Sequence, residues 1–446
     1  MSQTRDPFSA LAALRPARRR DPAAGWDDDS KSVRGFAPEV PAGAERLAQI
    51  LGATTRSNRF GEHLGLRRWF SEQPGTALDV PDGEVDSVAL RLIAPDAPKE
   101  AADPRQWLFL DTETTGMSGG SGTYAFLVGI AWWDAGGLEV EQLFMREHSE
   151  EHSQLLALAE RMAERRVLVT FNGRSFDWPL LETRYRMTRT IKPPAPRAHL
   201  DFLHPARNLW RLRLGSARLP ELERHVLGWH RGADVMSELI PSMYFDFLRG
   251  GAPDPLVPIF HHNQMDLRGL AALATRVLAL LANPEQHGRD PLELFGVSRI
   301  CERRGDLRAR NLYERSISAE LPEDAERKAR RSLALLAKRA GDLGKAEEAW
   351  VKLLGGSREG LEAYEQLAIL YERRARNHHR AAALAREALK VLRKSNRIGA
   401  IEASVYGRYK LRFQRRLTRL ERKTKQAQMD AAPAESQRVL IESSGV

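Results

Sequence analysis

Cysteine is almost missing from this chain: one residue, Cys301, in 446. No disulfide can form within it, and a reducing compartment, hence the cytoplasm, is the expected setting. Long apolar runs are missing too. No stretch reaches the roughly eighteen residues that a membrane-crossing helix needs, and no apolar signal core stands near the N-terminus, so no membrane partner is expected. The twelve histidines and the lone cysteine form no compact ligand cluster, which argues against a zinc site. The glycine-rich residues 116–122 lack the Gly-Lys-Ser/Thr ending of a nucleotide-cradling loop, which argues against an NTPase.

Acid is scarcer than base. The formal net charge is +10, and residues 391–425 alone hold twelve basic residues against Glu402 and Glu421, a surplus equal to that of the whole chain. With Tyr406, Tyr409 and Phe413 set among the cations, such a segment suits a polyphosphate backbone. A solvated terminal helix is the plainer account of the same charge.

The length allows two or three domains. Residues 1–41, rich in Ala, Arg, Pro and Asp without a period, read as a disordered tail. Residues 42–104 read as an extension that is partly helical, from a weak helical pattern through Leu47, Ile50, Leu51, Leu64, Leu66, Trp69 and Phe70. Residues 105–285 read as one α/β domain. Strands are expected at 107–113, 124–133 and 138–145, joined by short links. A helix through Leu155, Leu158 and Met162 follows, then strands at 167–171 and 198–203 with a helix after Pro179 between them. A short helix over 219–228 and a long one over 259–281 complete the domain. From 294 to 392 the pattern changes to helical hairpins, with segments that align at offsets of 34 to 37 residues. A basic helix and flexible tail fill 393–446.

Within the α/β domain, Trp107-Leu-Phe-Leu-Asp111-Thr-Glu113 is an apolar strand ending in two acids. Side chains two apart on a strand share a face, so Asp111 and Glu113 project together. Each disfavours the other's ionisation unless positive charge compensates, and a divalent ion would supply it. Alone, an Asp-x-Glu is as simply a solvated edge. It has company, however: Asn172, Phe176 and Asp177 follow the apolar run 167–170, and His261, His262, Asn263 and Asp266 stand at the head of the long helical pattern.

In this order the three blocks resemble the three exonuclease motifs of the DEDD superfamily of ribonuclease H-like nucleases. Residues 107–281 with the hairpins behind them resemble the YprB-type proteins, a bacterial family that pairs a ribonuclease H-like exonuclease domain with tetratricopeptide-like (TPR-like) repeats. The likeness extends to residues 201–207 and 219–223 and to His262-Asn263. It implies a ribonuclease H-like mixed sheet flanked by helices, followed by an all-α helical-repeat domain. It also implies a metal-dependent hydrolase, a 3′→5′ exonuclease acting on DNA or RNA. Asp111, Glu113, Asp177 and Asp266 would hold two Mg²⁺ or Mn²⁺ ions, hard cations that suit oxygen ligands.

The general base is open between two histidines. The spacing of the superfamily's histidine branch selects His261, and that of its tyrosine branch selects His262. On a helix His262 and Asp266 share a face while His261 points away, which favours His262. Thr114, Asn172 and Phe176 are expected on the substrate side, with Phe176 packed beneath Asp177, and the 116–122 link over the site. Asp201 is either an auxiliary acid or a turn cap. The alternative to an enzyme is a catalytically idle adaptor that binds nucleic acid and offers its helical repeats to a protein partner.

Overall fold

A computed structural model describes residues 40–431 apart from 42, 72–80, 82, 117–121, 135 and 233. The tails expected to be disordered or flexible, before residue 40 and after 431, and the middle of the glycine-rich link lie outside the described residues. The elements run α1 (Ala44–Leu51), β1 (Thr54–Asn58), β2 (Gly61–Ser71), α2 (Ser87–Ile93), β3 (Trp107–Thr114), β4 (Ala125–Asp134), β5 (Gly137–Phe144), α3 (Glu151–Glu164), β6 (Val167–Thr170), α4 (Asp177–Thr188), β7 (Ala198–Asp201) and α5 (Leu203–Leu214). Then come α6 (Leu219–Leu222), α7 (Ile240–Leu248), α8 (Val257–Ala282) and α9 (Pro284–His287). An all-helical region follows: α10 (Pro291–Arg304), α11 (Ala309–Ser318), α12 (Glu323–Arg339), α13 (Leu343–Val351), α14 (Arg358–Arg373), α15 (His378–Arg397) and α16 (Ala403–Ala431).

The seven strands form one mixed sheet in the order β1-β2-β5-β4-β3-β6-β7. β6 runs parallel to both β3 and β7, and the other pairs are antiparallel. This is the ribonuclease H-like architecture. Alternation along β3 sorts its side chains onto two cores. Trp107 and Phe109 pack with Leu267, Leu270 and Ala271 of α8. Leu108 and Leu110 pack with Leu155 and Leu158 of α3 and Leu180 and Leu181 of α4. Each such side chain contributes about 1.5–3 kcal/mol of burial, which is what fixes the register. Asp111 and Glu113 continue the Trp107–Phe109 row, so the fold sends both acids toward α8.

Residues 61–71 depart from the expected weak helix. They form β2, paired with β5 from Leu64↔Phe144 to Ser71↔Gly137. Leu64 and Leu66 are a strand's period, and both are buried; Trp69 and Phe70 blurred it, and pairing with β5 decided the outcome.

The helical region is seated on the α/β domain through α5. Gly296 of α10 lies so close to the α5 backbone that an added Cβ would stand 2.6 Å from the Asn208 carbonyl oxygen. The buried Glu293 accepts from the Trp210 indole at 2.8 Å and pairs with Arg213 and Arg276. Farther on, α12 packs on α13, α14 on α15, and α15 on α16. Two of the three aromatics set among the basic residues of α16 turn inward, away from any polyphosphate those cations would meet. Tyr409 and Phe413 are buried against Leu361 and Tyr364 of α14. The cations are drawn inward too: Glu372 pairs with Arg416, Arg419 and Lys423, and Glu365 with Arg412.

Candidate active site

Asp111 and Glu113 leave the end of β3 where the pairing with β4 shifts register, between Glu113 and Thr114. Such irregularities re-aim side chains at strand ends. Asp111 Oδ2 accepts from the Asn263 amide at 2.8 Å. That reach is possible because Gly129 is the β4 residue opposite Asp111, and a Cβ there would stand 2.1 Å from Asn263 Oδ1. One strand farther on, Gln142 lies opposite Gly129 and donates to Asn263 Oδ1 at 2.7 Å and to the Phe260 carbonyl at 2.9 Å. The Asn263 amide is therefore oriented, with its NH₂ committed to Asp111.

Asp177 opens α4, where the helix dipole favours negative charge. Thr112, on the other face of β3 from Asp111, donates its hydroxyl to Asp177 Oδ1 at 2.5 Å. The turn before α4 is tied from β7: Asp201 accepts from the backbone N–H groups of Asn172, Arg174 and Leu203. Asn172 itself holds a left-handed backbone, φ 73°, which that carboxylate secures.

His262 and Asp266 stand one turn apart on α8. His262 Nε2 lies 3.6 Å from Asp266 and 3.9 Å from Glu113, while Nδ1 lies 2.7 Å from Asp234 Oδ1. An Nδ1–H donated to Asp234 leaves Nε2 as the basic atom, facing the acids. His261 is exposed on α8. Arg231 runs behind this group. It grips the fully buried Glu223 with two nitrogens, at 2.5 and 2.6 Å, stands 3.3 Å from Asp234 and pairs with Asp266.

Burial pushes the Asp111 carboxyl well above the usual carboxylate range, with Asp266, Glu113 and Asp177 pushing the same way and the Asn263 bond opposing. Burial, Asp266 and Asp177 raise Glu113 likewise. Asp177 is pushed up to about 6 by burial, against the Thr112 hydrogen bond. Three elements far apart in sequence thus deliver four carboxylates that feel one another's charge. The hard oxygen donors and the excess negative potential fit a divalent cation. Among the described residues, no three His, Cys, Asp or Glu side chains are drawn close enough to enclose an ion as they stand. Protein donors hold three of the carboxylates instead, through Asn263, Thr112 and Arg231.

A groove of about 750 Å³ leads to His262 and Asp266. Asn172 lines it, as do Arg207, Arg211 and Arg218, three exposed guanidinium groups with no ion pair among the described residues. Phe176 is half-buried just ahead of α4. Thr114 is buried, and its hydroxyl donates to the Gly116 carbonyl at 2.9 Å, anchoring the start of the glycine-rich link.

The residues missed from sequence are Asp234, Arg231, Glu223 and Gln142. Asp234 and Arg231 sit in an irregular stretch without periodicity and carried no signal. Gly129, a lone glycine inside an apolar strand, did carry one, since such a position often marks a close approach.

Residues 108–278 match the model of the RNase_H superfamily. Over 286 residues the chain is 30% identical to a Bacillus subtilis (strain 168) protein named "Uncharacterized protein YprB", a span of 63% of this chain and 68% of that one. The chain belongs to the YprB family. A solved structure, the family B DNA polymerase from the hyperthermophilic archaeon Pyrobaculum calidifontis, aligns at 15% identity with a TM-score of 0.33, over 46% of this chain and 28% of the polymerase chain. In this YprB-family chain the superfamily match opens on β3 and closes inside α8, so it contains all four carboxylates, His262 and Asp234. No helix among the described residues is long and apolar enough to cross a membrane.

Proposed function

We propose that the protein is a divalent-metal-dependent nuclease that hydrolyses phosphodiester bonds of DNA or RNA, working from the 3′ end. The observation that carries this reading is the convergence of Asp111, Glu113, Asp177 and Asp266 with an oriented imidazole nitrogen within 4 Å of two of them. The four acids are the groups that would hold Mg²⁺ or Mn²⁺. A pair of such ions, when bound, supplies charge for the scissile phosphate and the departing oxygen and an acidified water.

The chain's own groups account for the rest. His262 Nε2 accepts the proton of the attacking water. Asp234 holds Nδ1–H and with it the ring's tautomer, so the lone pair stays aimed at the acids. Asn263 and Gln142 fix the orientation of Asp111, and Thr112 fixes that of Asp177. Arg207, Arg211 and Arg218 bind the phosphates of the strand as it leaves the groove. Asn172, Phe176 and Thr114 border the terminal nucleotide. The 3′ polarity rests on the likeness to the exonuclease motifs.

The test uses the full chain with matched DNA and RNA oligonucleotides labelled at either end, in Mg²⁺ or Mn²⁺. The 5′-labelled strand should shorten one nucleotide at a time, and Asp111→Asn and Asp177→Asn should fold normally and lose activity by at least about a hundredfold. Undiminished activity in both variants would mean a contaminating enzyme.

One observation favours the adaptor reading: Arg231 already pairs with Asp266, as a built-in cation would in a site that holds no metal. Thermal melting with Mn²⁺ separates the two. A ligand of the native state at about a hundred times its dissociation constant adds roughly 2.7 kcal/mol. No rise in Tm at millimolar Mn²⁺ selects the adaptor.

A further inference from the structure

The far side of α5 holds a second basic cavity. The helix runs Leu203–Leu214, and its residues Arg207 and Arg211 face the groove that leads to His262 and Asp266. Its residue Leu212 lines another cavity, of about 830 Å³, whose remaining wall comes from α10, α11, α12 and α14. Six cations line that wall: Arg299, Arg303, Lys328, Arg331, Arg339 and Arg358. The acids among them are largely committed. Glu362 is gripped by Arg331 at 2.6 and 2.9 Å, and Glu302 accepts from Tyr313 at 2.8 Å and faces Arg339 at 3.6 Å, which leaves Glu359. Arg299, Lys328 and Arg358 make no ion pair among the described residues. The uncancelled charge registers on Arg303, whose guanidinium is lowered by burial and then by Arg299 beside it.

The two cavities belong to one rigid wall. Gly296 brings α10 against the α5 backbone, Glu293 of α10 binds Trp210 and Arg213 of α5, and Arg303 donates to Asn208 on the same helix. Along α5, Arg207 and Leu212 are five residues apart, roughly 7.5 Å of rise, and the helix is about 10 Å wide. A polyanion leaving the first groove has only that distance to cross before it meets unpaired positive charge again.

We propose that this cavity is a second binding site for the same single-stranded nucleic acid, holding the phosphates of the strand upstream of the nucleotide at His262. The substrate class rests on the nuclease reading above. The cavity reads backbone charge and not sequence, because guanidinium and ammonium groups line it and its aromatics, Phe295 and Tyr313, are buried. An acidic protein segment would also be drawn to such charge. The shared wall favours nucleic acid, since α5 turns arginines to the first groove while closing the second.

A cavity of the first groove's size takes a ligand of one or two nucleotides, so substrate length separates the two sites. The experiment measures fluorescence anisotropy of labelled dT₂ and dT₁₂ in EDTA with the full chain and with the triple variant Arg299→Ala, Lys328→Ala, Arg358→Ala. A poly-glutamate peptide serves as a third probe. The expected result is a loss of about tenfold or more for dT₁₂, as for three lost phosphate contacts, with dT₂ changed by less than about twofold and Tm unchanged. Equal loss on both lengths, no loss on either, or capture of poly-glutamate in preference to dT₁₂ would each overturn the second site. Arg207→Ala with Arg211→Ala gives the reference, because those variants should weaken both lengths. The two proposals fail separately. Length-dependent binding without hydrolysis in Mg²⁺ removes the nuclease and leaves the cavity, whereas hydrolysis with a length-blind triple variant does the reverse.

Discussion

At the scale of single residues, the site depends on side chains that act through their neighbours. Among the described residues Asp234 bonds to His262 Nδ1, the backbone of Val235 and Arg231, and an Nδ1–H held there would leave Nε2 as the basic nitrogen. Removing the ring should cost about a hundredfold to ten-thousandfold in kcat, the usual contribution of a general base. Asp234→Asn should cost about tenfold in kcat and leave KM unaltered, because the ring keeps its place but loses its tautomer. The double variant makes the assignment testable. If Asp234 acts through His262, then Asp234→Asn adds less than about twofold in the His262→Ala background. A tenfold loss in both backgrounds would assign Asp234 to Arg231 or to the loop instead. Gly129 shows the same dependence at one remove, since its missing side chain is the space in which Asn263 reaches Asp111.

At the scale of elements, what could be read in the sequence depended on how much of each element's environment is local. The alternation of β3 foretold the shared face of Asp111 and Glu113. The 3.6-residue period foretold the long helix α8, on which His262 and Asp266 are one turn apart. Where partners from distant sequence decide, the pattern failed. β2 was masked by Trp69 and Phe70, and Asp234 and Arg231 acquire roles only once the loop before α7 folds over α8. The clasp between β2 and α3 offers a test at this scale. His63 is buried, with Nδ1 2.8 Å from the Ser153 hydroxyl, which in turn donates to the Gly61 carbonyl. Burial lowers the ring from 6.5 to about 4, Glu141 opposing, Arg146 and Arg56 assisting. The folded chain therefore keeps His63 neutral while the unfolded chain takes up a proton below about 6.5. Stability from this group is complete above pH 6.5 and is lost as pH falls toward 4, by roughly 3 kcal/mol. Urea melts should show His63→Gln losing less stability than the parent chain between pH 7 and pH 4.5. Parallel curves for the two chains would show that the ring is solvated.

At the scale of the molecule, position and pairing of the surplus charge matter more than its sum. The sequence concentrates cations in residues 391–425, yet the fold spends several of them on its own acids: Glu372 of α14 gathers Arg416, Arg419 and Lys423 from α16. Those guanidinium and ammonium groups lower the Glu372 carboxyl below its ordinary range, although burial opposes them. A cation already neutralised by a carboxylate releases few counterions when a phosphate approaches, so it should contribute little to the salt dependence of nucleic-acid binding. The unpaired cations beside α5 should contribute fully, near 0.7 in the slope of log K against log salt for each contact with a single strand. The Arg299→Ala, Lys328→Ala, Arg358→Ala chain should therefore bind dT₁₂ with a slope shallower by about 2, at an unchanged Tm. Replacing Arg416, Arg419 and Lys423 by Ala should do the opposite. It should leave the slope within about 0.5 and destabilise the helical region by roughly 1 kcal/mol or more, because a buried carboxylate loses all its partners. Titrations at four salt concentrations, paired with melting curves, measure both quantities on the same proteins. If instead the α16 variant flattened the slope and kept its Tm, the terminal helix would be the strand's track and the inward pairing to Glu372 would not describe the working protein.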